Sequence, residues 1–144
     1  MRKVWKVCHR RDDGTVESAC APYWRDFLPS IAGWVRTYRA ADGSRPVVPR
    51  ALAFARKQDA VSFASKTAEA SSELTGSELL FGVYRAEAKH ARRIDWIAFG
   101  QQFESFQEAD GRPNGWSRDD APEGTLYCHD LRLTGDGPVA VFGE

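Results

Sequence analysis

The chain reads as an α+β protein: a mostly antiparallel sheet packed by one main helix at about residues 57–73. Three observations predict this. Stretches of period-two alternation rich in β-branched and aromatic residues recur along the chain. One segment sustains helical spacing over several turns. Strands and helices do not alternate regularly, as βαβ units would require. At 144 residues a single domain spanning 1–144 is expected, long enough to bury a real core.

Residues 3–10 (KVWKVCHR) set Val4, Lys6 and Cys8 on one side of a strand and Trp5, Val7 and His9 on the other. Asp12-Asp13-Gly14 is a turn signal, and residues 15–21 read as the return strand of a hairpin. Residues 22–41 are less regular. Pro22 and Pro29 break any long helix, and 33–39 fits a strand or an extended arm. Residues 41–49 form a loop, with Asp42-Gly43 supplying turn chemistry. Residues 51–55 are a short buried strand. In the helix that follows, Ala60, Phe63, Ala64, Thr67 and Ala68 recur at i, i+3, i+4, i+7 and i+8, so they share one face. Asp59 falls in the first turn, where a carboxylate complements the helix dipole, and Gly76 ends the segment. Strands are expected at 79–88 and 93–99, with the basic knot Lys89-His90-Ala91-Arg92-Arg93 turning between them. Residues 101–110 are compatible with a short helix, and 111–123 form a long polar loop around Trp116. Strands at 125–133 and 139–142 close the chain.

Composition narrows the function classes. Net charge is zero, but residues 1–57 hold 12 Lys/Arg against 5 Asp/Glu and the remainder holds the opposite excess. A neutral total argues against a dedicated duplex-DNA binder, so nucleic acid is not favoured as a partner. No run approaches the ~20 apolar residues of a membrane span. The N-terminal MRKVWKVCHRR lacks the apolar stretch of a signal peptide, so a cytoplasmic location is expected. Three cysteines, an odd and sparse set, fit reduced thiols.

Two Cys-His dipeptides, Cys8-His9 and Cys128-His129, raise the question of a metal or a nucleophile. Neighbours on a strand point to opposite faces, so each dipeptide offers one ligand to any site, and CxxC or HxxxH spacing is missing. No metal is expected. A Cys–His nucleophile needs its two groups to converge from separate strands. There is no Gly-rich phosphate loop, GxSxG or HExxH. The remaining signal is a segment in which Trp24, Trp34 and Tyr38 are interleaved with Arg36 and Arg39, with Trp116 in the later loop. Arginine with exposed aromatics is the composition of protein–protein hot spots.

The centre of the chain carries a resemblance. An apolar strand (Leu52–Phe54), the helix motif Asp59-Ala60…Phe63-Ala64 and the strand Val83-Tyr84-Arg85-Ala86-Glu87 look like small phage and prophage proteins. More distantly, the pattern is similar to the core of ADP-ribosyltransferase-like domains. That resemblance implies an NAD cofactor, with His9 or Arg10 contacting it, Tyr38 stacking on nicotinamide, and Asp130 or Glu123 at the oxocarbenium-like centre. The chain departs from the family pattern: its late strand has Asp130 and no glutamate, and Ala53-Phe54-Ala55 stands where a Ser-x-Ser element belongs. The departures favour a scaffold reused for binding, without a cofactor. The expected protein is a non-enzymatic phage-type binder of a host protein or complex, such as an inhibitor of a CRISPR-Cas defence system. Its expected contacts are Trp24, Trp34, Arg36, Tyr38, Arg39 and Trp116.

Overall fold

The computed structural model describes residues 1–10, 14–19, 37–75, 80–93, 96–98, 115–117 and 122–143. The described elements are β1 (Arg2–Arg10), β2 (Val16–Ser18), β3 (Thr37–Arg39), β4 (Val48–Phe54), α1 (Lys57–Thr75), β5 (Phe81–Arg93), β6 (Trp96–Ala98), β7 (Gly115–Ser117), β8 (Thr125–Leu133) and β9 (Ala140–Phe142). Seven strands form one sheet in the order β3-β2-β1-β4-β8-β5-β9, and β1 also pairs with β5. That extra pairing closes β1, β4, β8 and β5 into a four-stranded barrel. The fold is therefore mainly β, which corrects the α+β expectation. Strand alternation reports which side of a strand is buried. It does not report that β1 meets β5 over eight residue pairs, from Arg2↔Ala88 to His9↔Phe81.

So few strands enclose a narrow interior, and the sequence fills it with small side chains. Cys8, Ala51, Ala53, Ala86, Ala88 and Cys128 are all buried there, and the same cluster also holds the larger Val4, Val48, Leu126, Leu131 and Leu133 and the rings of Tyr38 and Tyr84. Closing a small barrel requires strongly coiled strands. Two register slips in the β5–β8 ladder, between Ala88 and Lys89 and between Lys89 and Arg92, supply a local bend. They also let β5 continue to Arg93. The basic knot at 89–93 is thus strand, where a turn was expected. Residues 115–117, expected as loop, form β7 and pair with β6.

The helix starts where its sequence places it and runs two residues past the expected end. It lies on the outer side of the sheet. Ala60 and Ala64 are fully buried and let the helix approach Val7 and Val83 closely, while the Phe63 ring sits 5.3 Å from that of Phe54. Its first turn is tied to the start of β8. Arg56 Nε donates to Asp59 Oδ2 at 2.9 Å, and the Ala55 amide donates to the Gly124 carbonyl at 3.0 Å. Gly124 has φ +79°, and a β-carbon there would run into the Asp59 carboxylate. Gly124→Ala is expected to cost about 1–3 kcal/mol through the combined backbone strain and clash. A urea titration of the variant checks this, and an unchanged midpoint would refute it.

Candidate functional site

Two places concentrate polar chemistry among the described residues, one inside the barrel and one on its outer face. The inner one arises because β1 changes partner along one edge. On that edge β2 pairs with Cys8, His9 and Arg10, whereas β4 pairs only at Trp5↔Phe54. Lys6 sits at the fork between them. Its side chain shares the inward face with Val4 and Cys8 and is only 3% exposed. The ammonium donates to Ser18 Oγ on β2 at 2.8 Å and to the Leu52 carbonyl on β4 at 2.6 Å, and lies 5.1 Å from the centroid of the Tyr38 ring. One buried charge thereby bridges two strands that do not bond each other at this point. Its partners are neutral, so the hydrogen bonds and the ring must offset the desolvation of the ammonium. The Tyr38 hydroxyl is buried beside Lys6 and Ser18 but out of hydrogen-bond alignment with either.

Burial dominates the protonation of the interior. It pushes the Cys8 thiol up to about 12, against the opposing pull of Lys6. It pushes the Cys128 thiol up to about 11, against Lys6 and Arg2. The Tyr38 phenol is raised by the same cause, again opposed first by Lys6. Thiols held protonated in this way are poor nucleophiles. Cys128 also faces inward while His129 follows it on the outer side, so the dipeptide does not form a Cys–His pair. No three His, Cys, Asp or Glu side chains among the described residues cluster as metal ligands would.

The outer place is the paired bulge. His90 (φ 52°) and Asp130 (φ 50°) are the non-glycine residues with left-handed backbone among those described, and both fall at the slips of the β5–β8 ladder. His and Asp are among the residues that tolerate this conformation, which still costs of order 1 kcal/mol each. The bulges put neighbours on the same side: Lys89 with His90, and His129 with Asp130. The inward pattern then resumes at Ala91 and at Leu131. The rings of His90 and His129 meet edge-on at 5.9 Å, and those of Tyr127 and His129 at 5.3 Å. Lys89, His90 and Arg92 are exposed beside them. Helix α1 packs on the other end of this outer surface, against Val7 and Val83, and no described helix packs on the bulge end.

The residues singled out from sequence are distributed as follows. Tyr38, read as a partner contact or a nicotinamide platform, has no exposed surface and belongs to the barrel core. Arg39 is half-buried and donates to the carbonyls of Gly135 (3.0 Å) and Asp136 (3.3 Å), which ties β3 to the turn before β9. Trp24, Trp34 and Arg36 lie outside the described residues. Trp116 is on β7 opposite Ile97, and its side chain is likewise outside them. His9 Nε2 lies 3.5 Å from Glu17 Oε2, and the His9 ring packs near Phe81. Arg10 is exposed at the end of β1, and Glu123 is exposed in the turn before β8, 3.5 Å from Arg56. Asp130 neighbours Leu131, which pairs with Ala88 and so lies level with Arg2. His9 is seven residues along β1 from there, about 23 Å at ~3.3 Å per residue. These side chains do not converge on one cleft. Sequence reasoning missed Lys6 as an interior residue, although its alternation with Val4 and Cys8 was the signal.

No helix among the described residues is long and apolar enough to cross a membrane. Compared with known proteins, the chain matches no family model, no curated protein and no solved structure.

Proposed function

We propose that the protein is a non-enzymatic binding protein of phage or mobile-element type, docking on a host protein or complex through the outer face around the paired bulges, where Lys89, His90 and Arg92 are exposed. One observation supports the choice of face. Two strained non-glycine residues, His90 and Asp130, occur at the same point of the sheet and crowd exposed cationic and aromatic side chains there. Bulges of this kind re-aim side chains and are over-represented beside functional sites. The interior carries protonated thiols and a lysine already engaged with Ser18 and Leu52, so it offers little reactive chemistry. The phage-type origin, and inhibition of a defence complex such as CRISPR-Cas as the specific form of docking, draw on the resemblance of residues 52–87.

The test is capture from a bacterial host lysate by the immobilised full chain, with the partner identified by mass spectrometry. It is run in parallel with the double variant Lys89→Glu/Arg92→Glu. A specific partner retained by the wild type and lost by the variant is the expected result. Equal capture by both would remove this face from the reading, and turnover of NAD by the purified protein would replace binding with enzymatic transfer.

A further inference from the structure

Resting on the reading that this face docks a protein, we infer that it takes a carboxylate-rich, acidic segment of the partner. Lys89 and Arg92 are exposed, and neither makes an ion pair with any described residue. Arg85, beyond Glu87 on the outer side of β5, is exposed as well. Charges left unpaired on a rigid strand are available to an incoming anion without first breaking an internal contact, and strands hold them at fixed spacing.

Two features select carboxylates over a phosphate backbone. Glu87 lies within the same face, 3.9 Å from Arg132, and Asp130 projects from the facing bulge. A nucleic-acid strand carries a charge at every nucleotide and would meet these two carboxylates repulsively. A protein segment can set Asp or Glu against Lys89 and Arg92 and neutral side chains against Glu87 and Asp130. The edge-on rings of His90, His129 and Tyr127 add a partly apolar cluster beside the charges, the mixture found at protein–protein contacts.

Fluorescence anisotropy with the full chain tests this. The probes are a short labelled peptide rich in Glu and Ser, a peptide with Gln replacing Glu, and a single-stranded oligonucleotide of equal charge. The wild type is expected to bind the Glu peptide in preference to both others, more weakly as salt rises. Lys89→Glu/Arg92→Glu is expected to weaken that binding by about tenfold or more. Both replaced residues are exposed, and an unchanged thermal melt confirms that the variant is folded. Tighter binding of the oligonucleotide would overturn the inference in favour of nucleic acid. Glu-peptide binding that survives charge reversal, or no binding of any probe, would also overturn it. In those cases a partner captured by the wild type and lost by the same variant would keep the docking reading itself intact, so the two fail separately.

Discussion

Replacing Lys6 by alanine is expected to lower the unfolding free energy by about 3–4 kcal/mol. The change removes a buried aliphatic stem and leaves the Leu52 carbonyl and Ser18 hydroxyl without their shared donor. Each unmet polar group costs about 1–3 kcal/mol, and relief of the ammonium's own desolvation offsets part of that. Lys6→Met separates the contributions. It keeps the stem in place and removes the charge, so a smaller loss of about 1–2 kcal/mol is expected. Urea unfolding of both variants checks the order. A Met variant more stable than the wild type would mean that desolvation outweighs the fork's hydrogen bonds, and that Lys6 is retained for a reason other than stability.

Raising the pH above 9 should destabilise the protein steeply. The folded-state values of Cys8 (about 12) and Cys128 (about 11) lie above the usual 9.0 because burial disfavours the thiolate. Between these limits the folded protein holds protons that the unfolded chain has released. The associated stability is therefore complete below pH 9 and is lost as pH rises through the folded values. Each thiol contributes a slope of about 1.4 kcal/mol per pH unit, so the pair removes about 5 kcal/mol by pH 11. Against a typical total of about 5–15 kcal/mol this is enough to unfold a marginal domain. Tyr38, raised by burial, acts in the same direction. Urea midpoints measured from pH 8 to 11 should fall, and Cys8→Ala should flatten the fall. A flat profile in the wild type would show that the thiols are accessible.

Much of the local structure was legible. The spacing of Ala60, Phe63, Ala64, Thr67 and Ala68 located α1, and its buried alanines lie against the sheet as that spacing requires. The alternation in residues 3–10 and the Asp12-Asp13-Gly14 signal located the first hairpin. The outer site was half legible. The basic residues at 89–93 stand out in the sequence, but a short charged cluster between two apolar runs reads as a solvated turn. In β8 the inward residues are Leu126 and Cys128, then Leu131 and Leu133. That phase change at His129-Asp130 is the trace of a bulge, visible only once the inner face is known.

By itself, the sequence determined the helix and its buried face and the location of most of the strands, because these depend on periodicities within a few residues. Tertiary structure alone decided that β1 pairs with β5 to close a barrel, that Lys6 lies inside it at a fork of two strands, and that His90 and Asp130 meet across one ladder. Each of these joins residues far apart in the chain, and local spacing carries no record of which distant strand a buried face will meet.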